Sequence, residues 1–207
     1  MGQGWAPGVA VACVMSMLFV PAAGGATDPS KCPGADVRTT PENTVQAREA
    51  VLCLLQQERT SRGLPRFAVR SSLTRAASGH ARDMVRNGFF SHTSSNGRSL
   101  CDRVRSAKYL RGSKRRYHLG EALGYGWNRS STPEVLTENL MRSRAHRRLL
   151  LKRDFRELGI ALVYGLPRRD TDRPGATIVL DLGRRVANSS KSFKGAKTCV
   201  SSRKSSR

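Results

Sequence analysis

The chain has 207 residues and a formal net charge of +22, from 37 Lys and Arg against 15 Asp and Glu. Apolar residues make up 38% of the chain and aromatic residues 6%, which is enough for the core of one domain but leaves part of the chain outside it. The sequence has neither the strict glycine period of collagen nor a long heptad run, so both fibrous classes are excluded.

The first apolar segment is typical of an export signal. Residues 9–20 are uncharged (VAVACVMSMLFV), and the small residues PAAGGA follow and end at Ala26. A membrane span needs about 20 apolar residues, so this shorter run favours a cleaved signal peptide over residues 1–26. An uncleaved anchor is the alternative, because no Lys or Arg precedes the run. After signal removal we expect no transmembrane segment and a secreted, extracellular protein.

Four cysteines follow the signal, and an even number in an exported chain predicts disulfide bonds. Three pairings are possible. We favour Cys32–Cys53, because Cys32 lies in the lead-in to the helix that carries Cys53, and Cys101–Cys199 then follows by exclusion. Free thiols are the alternative, since Cys199 lies in a segment of disordered composition. The C-x2-C spacing of a zinc knuckle is absent.

The predicted helices begin after an irregular lead-in, residues 27–42. A Thr-Pro-Glu sequence that starts at Thr40 predicts a helix to about Arg62, with threonine as N-cap and proline in the first turn. A second helix over residues 72–88 has the clearest apolar period, i, i+3/4, i+7/8. A third helix is predicted to begin at Ser99.

The second half of the chain predicts strands. Residues 118–127 are apolar with interspersed glycines, and residues 157–164 and 176–182 are two strand-like runs joined as a hairpin. Between them, a second Thr-Pro-Glu start at Thr132 predicts a helix, and a tight segment follows over residues 144–152. Helices followed by a small antiparallel sheet with one inserted helix predict an α+β fold.

The positive charge predicts anionic partners. Residues 187–207 carry six basic and no acidic side chains, and their Ser- and Lys-rich composition predicts a basic, disordered tail. Surface Arg and Lys attract phosphates and carboxylates, so cell-wall polymers, acidic lipids and extracellular DNA are candidate partners, with plain solubility as the alternative. Aromatic residues do not interleave with the basic runs, which argues against sequence-specific nucleic-acid binding.

The histidines are candidates for chemistry near neutral pH. His80 lies in the apolar stripe of the second helix, where a structural role is expected. His118 stands beside a basic loop and is expected to be exposed. His92 lies on a loop after a helix stop, and His146 lies at a helix end. Glu121 is flanked by apolar residues in a predicted strand, where an unpaired charge is costly, so it needs a partner.

Four segments, taken in chain order, carry a family resemblance. They are CLLQQERTSRGLPRF, LTRAASGHARDMVRNGFFSHTSSNGRSLCDRV, GEALGYG and STPEVLTENLMRSRAHRRLLLKRDFRELGIALVYG. Together they resemble the bacterial secreted, SCP-like branch of the CAP superfamily (cysteine-rich secretory proteins, antigen 5, pathogenesis-related 1) over about residues 43–186. The resemblance implies an α-β-α sandwich, with a small antiparallel sheet between helical layers. Three positions depart from the family pattern: Ala122 and Gln56 replace asparagines, and Leu140 replaces a tryptophan.

The resemblance also places two histidines and two glutamates in one cleft. They are His92 in the FSH segment, Glu121 in GEA, His146 in S-x-x-H-R and Glu157 before the next strand. Two imidazoles and a carboxylate, here His92, His146 and Glu121, can hold Zn2+ or another divalent cation with one open position. The second carboxylate can orient an imidazole.

Members of the superfamily resemble one another more in fold than in activity, and binding of sterols, lipids or other partners is the commoner role. We therefore expect a secreted, monomeric binding domain for a small molecule, a lipid or an anionic surface polymer, with no certain cofactor. One alternative is a metal-dependent hydrolase that uses the same four residues, although the G-x-S-x-G nucleophile motif is absent. The other is a cationic cell-wall adhesion protein that uses loops 111–116 and 144–153 and the tail.

Overall fold

The computed structural model describes Met1 and residues 28–110, 116–169, 173–186 and 197–200. The predicted signal peptide after Met1, residues 111–115 and most of the predicted tail lie outside the described residues. Within the described ranges, no helix combines the length and the apolar character needed to cross a membrane.

Five α-helices occur in the described residues, and their ends reflect local capping chemistry. They are α1 (Thr44–Thr60), α2 (Ser71–Asn87), α3 (Leu100–Ser106), α4 (Pro133–Arg142) and α5 (Arg144–Leu150). Ser99 and Asp102 form a reciprocal capping box at α3, and the Thr132 hydroxyl accepts from the Val135 N–H at α4. The prediction of a cap at Thr40 is wrong: residues 41–43 form a turn, and α1 starts after Asn43. The predicted tight segment 144–152 is mostly the helix α5.

The sheet has five strands in the order β1-β3-β4-β2-β5. They are β1 (Ala68–Val69), β2 (Arg116–Trp127), β3 (Glu157–Tyr164), β4 (Gly175–Val186) and β5 (Lys197–Val200). All neighbours pair antiparallel except β1 and β3, which are parallel. The predicted hairpin of β3 and β4 is confirmed. The two-residue β1 was not predicted.

The structure corrects the prediction of a disordered tail at residues 197–200. These residues form β5 and pair with Arg116–Leu119 of β2. Cys199 is almost fully buried and is bonded to Cys101, with a Cα–Cα distance of 5.9 Å. The second disulfide joins Cys32 to Cys53, with a Cα–Cα distance of 5.6 Å. Both predicted pairings are confirmed.

Each face of the sheet is covered by helices, which confirms the predicted sandwich. Alternate residues of a strand face opposite sides, and Gly120, Ala122 and Gly124 of β2 face the layer of α1, α4 and α5. The intervening residues, such as Leu119 and Leu123, face α2 and α3. Gly159 shows how closely α2 packs, because a Cβ there would lie 2.2 Å from the Leu73 carbonyl carbon.

A buried arginine ties α1 to the end of α5 and the segment that follows it. Arg59 is 1% exposed. Its guanidinium donates to the carbonyl oxygens of Leu150 at 2.7 Å and Phe155 at 3.0 Å, and its carbon lies 3.9 Å from the Phe67 ring centre. Burial lowers the pKa of Arg59 to about 10, so it remains charged at neutral pH and its donors stabilise these carbonyl groups.

Candidate functional site

His92 and Glu121 form the centre of the candidate site. Glu121 lies on the face of β2 that packs against α2 and α3, and its side chain is 3% exposed. His92 lies on the connection between α2 and α3, with a side chain that is 55% exposed. The Nδ1–H of His92 donates to Oε1 of Glu121 at 2.7 Å. Arg103, from α3, donates to Oε2 of the same carboxylate.

These contacts keep Glu121 ionised. Burial by itself would raise the pKa of Glu121, but the hydrogen bond from His92 and the positive charge of Arg103 outweigh it, and the pKa is lowered. The ionised carboxylate accepts the Nδ1–H of His92, so in the neutral form of the ring Nε2 carries the lone pair. Glu121 thus orients His92 and fixes its tautomer.

The second histidine of the family resemblance, His146, is linked to His92 by an electrostatic interaction. It lies on α5, whose Leu149 packs on the opposite face of β2 from Glu121. Burial lowers the pKa of His146, and the charge of His92 lowers it further. The two imidazoles are therefore close enough for the charge of one to act on the other. Beyond Leu119, this edge of β2 has no strand partner among the described residues.

Glu157 stands apart from the other three. It is on the same sheet face as Glu121 but two strands away. Glu121 on β2 pairs with Asp181 on β4, and Asp181 pairs with Gly159 on β3, two residues after Glu157. Two strand spacings across and two residues along separate the Cα atoms of Glu121 and Glu157 by about 12 Å. Glu157 instead accepts hydrogen bonds at 2.5 Å from Arg70 and from Tyr109. The structure thus pairs His92 with Glu121, places His146 within electrostatic reach of His92, and leaves Glu157 in its own ion pair.

Asp181 is a buried acid that the sequence analysis did not single out. It is fully buried on β4 opposite Glu121, and neither carboxyl oxygen has a partner at hydrogen-bond geometry in the described residues. Burial, followed by the negative charge of Glu121, raises the pKa of Asp181 well above its ordinary value. The signal that marks it is the single acidic residue within the apolar run ATIVLDL.

The two remaining histidines are both buried. His80 contacts the Ser91 carbonyl through Nε2 at 2.8 Å and the Ser94 hydroxyl through Nδ1 at 3.3 Å, which agrees with its expected structural role. Burial lowers the pKa of His80. The expectation that His118 is exposed is wrong: it lies on β2 between β4 and β5 and is 3% exposed.

This arrangement does not fit the expected three-ligand zinc site. Both oxygens of Glu121 are engaged, and the adjacent Arg103 guanidinium opposes a cation. Nε2 of His92 and the imidazole of His146 remain, one short of three protein ligands. No group of three or more His, Cys, Asp or Glu side chains in the described ranges is placed to hold a metal ion.

Three aromatic side chains form a row that begins at Phe90 and ends at Trp127, and we call them the aromatic ledge. Phe90, two residues before His92, meets Tyr125 edge-to-face with ring centres 5.0 Å apart. Tyr125 in turn lies 6.4 Å from Trp127. Phe90 is 46% and Trp127 43% exposed. The ledge offers solvent-accessible apolar surface that begins two residues from the oriented imidazole of His92.

Comparisons with known proteins agree on one family and one fold. A model of the cysteine-rich secretory protein family, CAP, matches residues 52–173. An extracellular SCP-domain protein from Bacillus anthracis strain Ames is 22% identical, with a TM-score of 0.51 over 70% of this chain and 43% of that one. An outer surface protein from Borrelia burgdorferi is 15% identical, with a TM-score of 0.56 over 72% of this chain and 98% of that one. The chain thus spans less than half of the Bacillus protein. No curated protein matches it.

Proposed function

The chain belongs to the cysteine-rich secretory protein family, and from that premise we propose that it is an exported binding module whose ligand contacts His92 and His146. The observation that carries the proposal is the hydrogen bond from His92 Nδ1 to the buried Glu121 carboxylate. This bond leaves Nε2 of an imidazole that is 55% exposed as an acceptor toward solvent. A ligand hydroxyl is the natural donor to such an atom.

The aromatic ledge supports an amphipathic ligand. Binding sites combine apolar and aromatic surface with a few placed polar groups that fix orientation. Phe90 and Trp127 supply exposed apolar surface, and His92 supplies the polar contact beside it. A sterol or another lipid with a free hydroxyl has this combination of an apolar body and one polar end.

The contacts of the two glutamates favour a binding function over metal-dependent hydrolysis. A catalytic zinc site uses three protein ligands and one open position. Here Glu121 is engaged with His92 and Arg103, and Glu157 is engaged with Arg70 and Tyr109. Both carboxylates of the expected tetrad therefore position other side chains.

The proposal can be tested with the fluorescence of Trp127. The chain has two tryptophans, Trp5 and Trp127, so a protein that begins after residue 26 reports through Trp127 alone. Titration with the fluorescent sterol dehydroergosterol should transfer energy from Trp127 to the bound sterol. We expect Phe90→Ala and His92→Ala each to weaken the affinity about tenfold, the effect of roughly 1.4 kcal/mol.

Tyr164→Ala is the matched control. Tyr164 is also an exposed aromatic residue, 41% exposed, but it lies on the opposite face of the sheet from the ledge. It pairs with Ala176, which pairs with Gly126, and Gly126 faces the other way from its neighbours Tyr125 and Trp127. This variant should bind the sterol like the parent protein. Equal affinities for the parent, Phe90→Ala and His92→Ala would contradict the proposal, as would an equal loss in Tyr164→Ala.

A second candidate function is adhesion to an anionic polymer through α5. The arginines of α5 and of the end of α4 surround an open cavity of about 400 Å³. They are Arg142, Arg144, Arg147 and Arg148. A double variant, Arg147→Gln and Arg148→Gln, should elute from immobilised teichoic acid at lower salt than a charge-matched double variant at Arg48 and Arg82. Identical elution of the two would remove α5 from this role.

A further inference from the structure

A second cavity lies between α2, α3 and the loop that joins them. It has a volume of about 350 Å³, and its walls come from α2, the following loop and α3. Arg75 and Gly79 contribute from α2, Asn96 and Arg98 from the loop, and Ser106 from α3. The volume falls at the lower end of the range for small-molecule sites, about 300–1,000 Å³.

Two of the guanidinium groups that line the cavity have no carboxylate in contact with them among the described residues. Within the described part of the chain, Arg75 donates only to the Ala107 carbonyl, at 3.0 Å. Arg98 donates through one terminal nitrogen to the Asp102 carbonyl, at 3.1 Å, and to Ser106. Neither guanidinium is in an ion pair with Asp or Glu there, so each keeps donors for a ligand.

The two acids near the cavity are already engaged. Asp83 lines it, but its carboxylate accepts from the Ser95 N–H at 2.9 Å, the Ser95 hydroxyl at 2.6 Å and Asn87 at 2.7 Å. These hydrogen bonds outweigh the effect of its burial and lower the pKa of Asp83. Glu121 is paired with Arg103. The two positive charges of Arg75 and Arg98 therefore exceed the one negative charge of Asp83, whose oxygens are held by Ser95 and Asn87.

The donors surround the cavity from three elements. Arg75 is on α2, Asn96 and Arg98 are on the loop, and the Ser106 hydroxyl is at the end of α3. A carboxylate accepts mainly in one plane, whereas a tetrahedral phosphate accepts from several directions and pairs with guanidinium forks. We propose that this cavity binds a phosphate group, either free, as a soluble phosphate ester or as a lipid headgroup.

The proposal does not depend on the function proposed for His92 and His146. It concerns a different cavity. Arg103 lines that cavity and also holds Glu121, but Arg75 and Gly79 can be changed without altering the contacts of either imidazole. Gly79 is the more useful of the two. It is exposed on α2, and a Cβ added there meets no atom within 4 Å. Side chains can therefore be introduced into the cavity from a helical position without displacing the core.

The test is an NMR titration of the folded domain with inorganic phosphate at constant ionic strength. Amide shifts should move around Gly79, Asn96 and Arg98 and saturate. Gly79→Glu places a carboxylate in the cavity and should abolish this saturable shift, while Gly79→Ala should retain it. Arg75→Gln should weaken binding about tenfold, the usual consequence of losing one charge-assisted contact.

The charge-matched control is Arg48→Gln, on α1 across the sheet, and it should bind phosphate like the parent. The proposal is overturned if phosphate causes no saturable shifts at the cavity, or if Arg48→Gln weakens binding as much as Arg75→Gln. It is also overturned if Gly79→Glu folds, as judged by its thermal midpoint, and still binds.

Two further arms separate the sources of the phosphate group. Glycerol 3-phosphate represents a soluble ester, and vesicles of phosphatidylglycerol in phosphatidylcholine represent a lipid headgroup. Tighter binding to one of them, lost in Gly79→Glu and kept in Gly79→Ala, supports the proposal and identifies the source. Vesicle binding that is unchanged by Gly79→Glu reports the net charge of the protein alone and counts against the cavity as a headgroup site.

Discussion

The buried acid beside Glu121 makes a stability prediction of unusual sign. Asp181 is fully buried, its oxygens have no hydrogen-bond partner in the described residues, and its pKa is raised well above the ordinary value. We predict that Asp181→Asn makes the protein more stable at neutral pH, although it replaces a buried side chain of the core. The asparagine amide has the shape of the protonated acid and, like that acid, carries no charge.

The sign follows from proton linkage. An unfolded chain releases the Asp181 proton near pH 3.9, whereas the folded protein retains it to a higher pH because burial and the charge of Glu121 raise the pKa. The contribution of Asp181 to stability is therefore complete below the unfolded pKa and is lost as pH rises through the folded pKa. Between these two values the loss is up to about 1.4 kcal/mol per pH unit. Asparagine has no such proton, so the variant lacks this loss.

The assay is urea unfolding of the parent and of Asp181→Asn at intervals from pH 4.5 to 8. The quantity of interest is the difference between their free energies of unfolding, because it cancels the titration of every other group to first order. This difference should grow in favour of the variant as pH rises. A difference that stays flat across this range, or a variant that is less stable at every pH, would refute the argument.

Asp83→Asn provides a control with the opposite sign. Hydrogen bonds from Ser95 and Asn87 outweigh burial and lower the pKa of Asp83. Its contribution to stability is therefore present above the unfolded pKa and is lost as pH falls through the folded pKa. The Asn variant should be less stable than the parent at pH 7, and the deficit should shrink toward pH 3.

Three further predictions test one contact of the site and two features that stabilise the fold. His92→Gln removes a ring that opposes the protonation of His146 whenever it is itself protonated. The variant should therefore raise the pKa of His146, measured from its imidazole proton shifts in NMR; an unchanged pKa would show that the rings do not interact. Arg59→Met should cost on the order of 4 kcal/mol in unfolding free energy, because buried carbonyl groups lose a charged donor; a loss below about 1 kcal/mol would show that the carbonyls find other donors. Removing the Cys101–Cys199 bond, which spans 98 residues, should lower the free energy of unfolding by about 1.3 kcal/mol more than removing Cys32–Cys53, which spans 21, because the longer loop restricts the unfolded chain more. The measurement is urea unfolding without reductant, and the reverse order would contradict this argument.

Local signals predicted most of the elements correctly. The apolar period of α2, its stop at Gly88 and the serine cap of α3 all depend on residues within a few positions of one another. Gly88 has a φ of 62°, which favours glycine at a helix end. Such features are predictable because the interacting groups are close in sequence. The two-residue β1 has too few positions to give a pattern, and β5 is polar and is fixed by pairing with β2 and by a disulfide.

Long-range pairing explains what the sequence left open at the site. Family motifs identified His92 and Glu121, but the partner of Glu121 on α3, Arg103, carries no local signal. Asp181 becomes opposite Glu121 only because β4 pairs with β2 in one register. A shift of that register by one residue would turn Asp181 to the other face of the sheet. The chemistry of Glu121 is therefore set by tertiary pairing, which composition and periodicity do not report.

The partners of the two glutamates also decide which groups remain for a ligand. Glu121 holds His92 in one tautomer and is itself held by Arg103, and Glu157 joins Arg70 to Tyr109. Each carboxylate oxygen in these pairs already has a donor, so a ligand that required them would have to displace a buried or half-buried contact. The exposed imidazole of His92 requires no such exchange. A ligand that donates one hydroxyl to Nε2 and covers the aromatic ledge therefore binds without breaking an existing hydrogen bond of either glutamate. For this reason we place an amphipathic molecule, rather than a cation, at this site.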